Sequence, residues 1–175
     1  RVARCGDGRA VGEIGDPVLL PNGDCEAYGV EDPRITPWGD RFYITYVAVS
    51  HHGPATALAS TADFRTFERH GVIFCPENKD VSLFPEQIDG EFMSLHRPVC
   101  STSFTRPEMW IARSPDLMHW GQHRPIAMPG NEWQSGRVGG GAPPLPRGAP
   151  GQDRHSRFQC LRGAPEAGCG GSGPI

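Results

Sequence analysis

Two stretches of this chain are copies of one another, and no other feature limits its possible folds as much. Ala57-Leu58-Ala59-Ser60-Thr61-Ala62-Asp63-Phe64-Arg65-Thr66-Phe67-Glu68-Arg69-His70 parallels Trp110-Ile111-Ala112-Arg113-Ser114-Pro115-Asp116-Leu117-Met118-His119-Trp120-Gly121-Gln122-His123. In each, a strand-like run enters a Ser/Thr-x-Asp turn. An apolar residue follows the Asp, and an aromatic stands three residues further on. The two aspartates are roughly 50 residues apart, the period of a four-stranded propeller blade. Ala3-Arg4-Cys5-Gly6-Asp7-Gly8 reads as a worn earlier copy. A repeat unit cannot bury its apolar face alone, and stacked neighbours complete it. The expectation is an all-β chain forming a partial propeller, with roughly two to three blades present. A β-sandwich with two similar hairpins stays open as the alternative.

Strand signals fill the region from Gly29 to Pro129. Residues 41–50, Arg-Phe-Tyr-Ile-Thr-Tyr-Val-Ala-Val-Ser, are rich in aromatic and β-branched side chains, as a buried strand should be. Residues 55–60 form a second candidate. Residues 91–96 and 108–113 alternate apolar and polar positions. Pro37-Trp38-Gly39-Asp40 and Asp89-Gly90 supply turns. No window carries a long 3.6-residue apolar period, so helix content should be low.

Net charge is -3 and no Lys/Arg run occurs, so nothing favours nucleic acid or an anionic membrane as partner. No apolar stretch approaches the ~20 residues needed to span a bilayer. The chain opens on Arg1 with no signal-like segment, which fits a fragment beginning inside a domain. Its six cysteines contain no C-x-x-C pair and read as reduced thiols of a cytoplasmic protein. Oligomerisation is compatible with the sequence, though no feature encodes it. Residues 1–144 form the expected domain. Residues 145–175 are rich in Gly, Pro and Arg, lose strand periodicity and cannot bury enough apolar surface to order themselves. That tail reads either as a natural flexible segment or as a reading-frame shift, and the abrupt break favours the second.

Three clusters carry candidate chemistry. In Glu31-Asp32-Pro33-Arg34 two carboxylates and an Arg flank a rigid Pro just before the strong strand. Pro33 should push Asp32 towards an extended conformation, and Arg34 should share the side of Asp32. The bland alternative is a turn with a surface ion pair. The second cluster is Asn78-Lys79-Asp80, and the third is Leu95-His96-Arg97-Pro98. Lys79, His96 and Arg97 together would make a cationic pocket for an anion, with Arg supplying a fork and Lys a point charge. His51-His52 is a weak metal pair, because adjacent side chains diverge. Gly139-Gly140-Gly141 lacks the strand–turn–helix setting of a phosphate loop. Trp38, Trp110, Trp120 and Trp133 are candidates for stacking on sugar rings, though blade packing suits Trp110 and Trp120 better.

The order of motifs adds a resemblance. Gly29-Val30-Glu31-Asp32-Pro33-Arg34 is followed by Asn78-Lys79-Asp80 with Leu83-Phe84-Pro85-Glu86, and then by Leu95-His96-Arg97-Pro98. Next come Met109-Trp110-Ile111-Ala112 with Asp116-Leu117 and Trp120, and finally Gly136-Arg137-Val138-Gly139-Gly140-Gly141-Ala142-Pro143-Pro144. Together they resemble glycoside hydrolase family 130, which holds β-mannoside phosphorylases and related mannosidases. The resemblance implies a five-bladed β-propeller with its site at the central axis. It implies Asp32 as general acid, acting on the glycosidic oxygen through a hydroxyl of the mannosyl ring. Glu31 and Arg34 would sit beside the sugar, and Lys79, His96 and Arg97 on the phosphate side. It departs from the family pattern at the first blade, which is mostly absent, and after Pro144.

Inverting hydrolysis needs an acid and a base, because neutral water must be deprotonated. Phosphorolysis needs the acid but no base, because phosphate is already an anion, and it needs cations to hold that anion. The expected reaction is inverting phosphorolysis of β-1,4-mannosides to α-mannose 1-phosphate and a shortened sugar. Inorganic phosphate is the co-substrate, with no metal or organic cofactor. Two further readings compete: a β-mannoside hydrolase on the same fold, and a non-catalytic sugar-binding propeller.

Overall fold

The computed structural model describes residues 1–6, 9–99, 107–127, 137–144 and 158–161. Two four-stranded antiparallel sheets hold most of them, each with its strands paired in chain order. The first sheet contains β1 (Gly29–Trp38), β2 (Arg41–Ser50), β3 (Gly53–Thr61) and β4 (Glu68–Phe74). The second contains β5 (Asn78–Leu83), β6 (Phe92–Pro98), β7 (Met109–Ser114) and β8 (Gly121–Ala127). These are two whole blades of the partial β-propeller that the repeat predicts. The expected strand at residues 41–50 is β2, and the other three candidates fall in or across β3, β6 and β7. A further strand, β9 (Arg137–Gly140), packs beside the second blade and pairs antiparallel with β10 (Phe158–Leu161). Beyond Pro144 only β10 is described, so most of the tail lies outside the described residues. The worn repeat copy at Asp7-Gly8, Cys100, Trp133 and Cys169 lie outside them as well.

The repeated turn has one construction in both blades. After β3, the Asp63 Oδ1 accepts N–H bonds from Arg65 (2.8 Å) and Thr66 (2.9 Å). After β7, the Asp116 Oδ1 accepts them from Met118 (2.9 Å) and His119 (2.8 Å). The hydroxyls of Thr61 and Ser114 receive the N–H groups of Asp63 and Asp116, each at 3.2 Å. Phe64 and Leu117, the apolar residues that follow, both have positive φ. Backbone N–H groups of Thr66 and Arg65 hold the Asp63 carboxyl down at about 2. Asp116 is lowered in the same way, chiefly by the N–H and the ring of His119. The sequence repeat is therefore a repeated carboxylate-capped turn, a job that a short acidic side chain does well.

The core lies between the blades. Leu58, Ile73 and Phe74 of the first meet Val81, Leu83, Ala112 and Leu117 of the second. Trp120 closes one end, stacked on Phe74 with ring centroids 5.6 Å apart, as blade packing requires. Three buried threonines of the first blade reach across to β5. Thr36, Thr45 and Thr56 donate hydroxyl bonds to the carbonyls of Leu83, Val81 and Asn78, respectively. β5 is an edge strand, so carbonyls that its own sheet leaves over need partners from elsewhere. On the opposite face of the first blade, the segment before β1 is strapped down by Glu26. Its carboxylate accepts bonds from Tyr46, from Arg69 and from the Asn22 N–H. Burial, then the Glu26 carboxylate, push the Tyr46 hydroxyl well above its usual range.

Candidate functional site

β1 is the first strand of its blade and an edge strand, which is why it tolerates Pro33 and Pro37 inside it. The carboxylate pair therefore sits just before the strong strand β2, in a strand of its own. Its register against β2 slips between Glu31 and Arg34: Glu31 faces Val47 and Arg34 faces Thr45. One extra residue is accommodated as a bulge. Asp32 takes a φ of 51° there, so the expectation that Pro33 would hold it extended is corrected. The bulge overrides the local preference, and a short polar side chain is among the few that tolerate the left-handed region. Simple strand alternation fails at the same point, so it cannot assign the sides of Asp32 and Arg34.

β5 repeats the device. Lys79 faces Arg97 and Ser82 faces Leu95, again with one residue too many, and Asp80 takes a φ of 58°. Asp32 and Asp80 thus occupy equivalent bulges in the first strands of successive blades. Their surroundings differ. The Asp80 side chain is 13% exposed and lies between two guanidinium groups. Its Oδ1 accepts from Arg34 Nη2 at 3.0 Å, and its Oδ2 accepts from Arg97 Nε at 2.8 Å and Nη2 at 2.7 Å. Arg34 also donates to the carbonyls of Gly140, Gly141 and Asp32. The Asp32 side chain is 50% exposed, and its Oδ2 stands 3.3 Å from Lys79 Nζ. Glu31 Oε1 is 3.7 Å from the same nitrogen.

Five of the six predicted residues therefore meet: Glu31, Asp32, Arg34, Lys79 and Arg97. Arg34 holds the main-chain oxygen of Asp32, while Lys79 faces the Asp32 carboxylate. His96 is not part of the group. It precedes Arg97 on β6 and points the other way, as strand alternation dictates. Its ring is 2% exposed and stacks on Phe74 with centroids 4.7 Å apart. Its nitrogens meet the Asn78 amide at 3.0 Å and His123 Nδ1 at 3.1 Å. Burial, and then the neighbouring His123, push the ring down to about 3, so it is neutral at ordinary pH.

Two contributors were visible in the sequence but had no role assigned there. Asp80 is the hub, and its signal was that Lys79-Asp80 stands where Glu31-Asp32 stands one blade earlier. The second is the glycine run. A Cβ on Gly139 would lie 2.4 Å from Asp80 Oδ2, and one on Gly140 would lie 2.8 Å from the Asp80 carbonyl oxygen. These glycines let β9 come down onto the Asp–Arg cluster, a close approach with no phosphate loop involved.

The cluster has three acids and three bases in two tiers. The lower tier is one carboxylate between two guanidiniums, almost closed to water. The upper tier is open and holds Lys79 with Glu31 and Asp32. Cavities of about 790 and 210 Å³ lie on the opposite face of the first blade, beside Val18, Ile35 and Phe64. The first is lined by none of these six residues. The second borders Glu31 but is otherwise mostly apolar. The convergence of charge around Asp80 marks the site.

A family model described as beta-1,4-mannooligosaccharide phosphorylase matches residues 2–148. The beta-1,2-mannobiose phosphorylase of Listeria innocua serovar 6a is 45% identical over 147 residues, covering 83% of this chain and 41% of that protein. The beta-1,4-mannooligosaccharide phosphorylase of Ruminococcus albus is 35% identical over 114 residues, covering 65% of this chain and 34% of that protein. Among solved structures, the beta-1,2-mannobiose phosphorylase from Listeria innocua in complex with beta-1,2-mannobiose superposes with a TM-score of 0.77. It is 44% identical, with 83% of this chain and 41% of that one covered. The chain spans less than half the length of the curated relatives it matches.

Proposed function

The chain belongs to glycoside hydrolase family 130, and from that premise we propose that it acts in the inverting phosphorolysis of β-mannosides to α-mannose 1-phosphate. The observation that carries the reading is an opposed pair of cations. Lys79 and Arg97 are direct cross-strand partners, a like-charge arrangement that costs stability unless anions balance it. Beside them, 3.3 Å from Lys79 Nζ, stands the half-exposed carboxylate of Asp32. An exposed acid within reach of a lysine and an arginine, with Glu31 and Asp80 balancing part of their charge, is an arrangement that suits phosphorolysis.

In the proposed reaction a phosphate oxygen attacks C1 of the mannosyl unit from the face opposite the departing sugar. The C1–O bond breaks. The leaving oxygen takes up a proton from the carboxylic acid form of Asp32, relayed by a hydroxyl of the mannosyl ring, and Asp32 is left as the carboxylate. The new C1–O–P bond has inverted configuration. Lys79 and Arg97 stabilise the phosphate, while Glu31 and Arg34 border the sugar. No base is required, because the nucleophile arrives ionised. Inorganic phosphate is the co-substrate, and the scheme draws on no metal or organic cofactor.

Linkage is the finer question. The relative named for beta-1,2-mannobiose is 45% identical and the one named for beta-1,4-mannooligosaccharides is 35% identical, so β-1,2-mannobiose is the first substrate to offer. The test compares β-1,2- and β-1,4-mannobiose in phosphate buffer, with wild-type protein and Asp32→Asn. Loss of a general acid should lower kcat by about 10²- to 10⁴-fold while the variant stays folded. Turnover by Asp32→Asn within a few-fold of wild type would move the proton donor elsewhere. Faster cleavage of the β-1,4 compound would reverse the linkage assignment.

A further inference from the structure

Asp80 is the one residue of the cluster that the proposed reaction does not use, although more bonds converge on it than on any other carboxylate there. Both its oxygens are committed, Oδ1 to Arg34 and Oδ2 twice to Arg97. Arg97 is 2% exposed and Arg34 reaches the site from the neighbouring blade. A guanidinium so far from water is held in one orientation only if an acceptor meets its fork. Asp80 is that acceptor for both, and the glycines at 139 and 140 are what leave it room.

We propose that Asp80 is the positioning residue of the anion subsite, fixing the Arg97 guanidinium beside Lys79 and tying it to Arg34 on the sugar side. The same bulge thus serves two ends in successive blades. In the first it leaves Asp32 open to the reacting sugar. In the second it turns the equivalent carboxylate inward to set two arginines. The inference rests on the reading of Lys79 and Arg97 as the phosphate side.

Charge alone and placement predict opposite signs. Removing a negative charge beside an anion site would tighten phosphate binding by Coulomb attraction. Releasing two guanidiniums from their orientation would weaken it. The experiment titrates inorganic phosphate into wild-type protein, Asp80→Asn and Gly139→Ala by calorimetry, with each variant's unfolding midpoint measured alongside. Gly139→Ala changes no charge, but its Cβ displaces the Asp80 carboxylate from Arg97, so it reports on placement even if Asp80→Asn folds poorly. Both variants should bind phosphate about tenfold or more weakly, the loss expected for a charge-assisted contact. In turnover, the KM for phosphate should rise several-fold more than the KM for the mannoside, a split that general loosening of the fold would not produce. Unchanged or tighter phosphate binding by folded variants would overturn the role of Asp80 and leave the phosphorylase reading standing. Absence of phosphate binding by the wild type would overturn the phosphate subsite, and this inference with it.

Discussion

Asp32 and Asp80 show how little residue type says without its neighbours. Both are aspartates at a bulge with positive φ, and both follow a charged residue. One is half open to water beside a lysine, the other nearly closed between arginines. His96 makes a related point. A histidine next to Arg97 suggests a ligand, but alternation along β6 sends its ring into the interface between blades. That burial has a measurable consequence. Folding moves His96 from about 6.5 in the unfolded chain down to about 3. Between those values the unfolded chain binds a proton that the folded chain does not. Stability contributed by the neutral ring is therefore complete above pH 6.5 and is lost as pH falls towards 3. The slope should approach about 1.4 kcal/mol per pH unit in the steep part of that window. Urea midpoints at several pH values should show it, and His96→Gln should flatten the dependence. An equally steep fall in the variant would place the titrating group elsewhere.

At the scale of elements, the decisive units are the first strands of the blades, β1 and β5. Both are interrupted by Pro or charge, and the strand signals of residues 41–50 eclipsed them. β2 was legible because aromatic and β-branched residues fill it. The Asp63 and Asp116 turns were legible because the turn chemistry is local and written twice. The bulges were not, because a bulge is set by register against a partner strand and leaves no periodic trace. The threonine bonds from the first blade to β5 were hidden for a similar reason, since their acceptors are main-chain carbonyls. Thr45 is the clearest of them, with its hydroxyl 2.6 Å from the Val81 oxygen and both groups buried. Thr45→Val keeps the shape and removes the donor. It should cost about 1–3 kcal/mol, the penalty for stranding a buried carbonyl. An unchanged unfolding midpoint would mean that this carbonyl finds another partner.

Over the whole molecule, the two blades are joined by a mixed interface. Apolar side chains supply its area and the Arg34–Asp80 bridge supplies a charged seam at one edge. Leu58, 1% exposed in the centre of that interface, gives the test of its energetic weight. Leu58→Ala should destabilise the chain by about 2–5 kcal/mol, read as a fall in denaturant midpoint. A change below about 1 kcal/mol would mean that the blades are held chiefly by the polar seam and the threonines. The repeat length made the blade architecture readable from sequence, because each blade folds as a local meander. The site was readable only as a set of motifs in order. Its assembly depends on Arg34 of one blade meeting Asp80 of the next, a contact between residues 46 positions apart. In the proposed reaction, the cations around Asp32 select phosphate over water. The direct measurement is the sugar released from β-1,2-mannobiose with and without inorganic phosphate, identified by phosphorus and proton NMR. The expected product is α-mannose 1-phosphate, formed only when phosphate is present. Free mannose released at the same rate in phosphate-free buffer would contradict it.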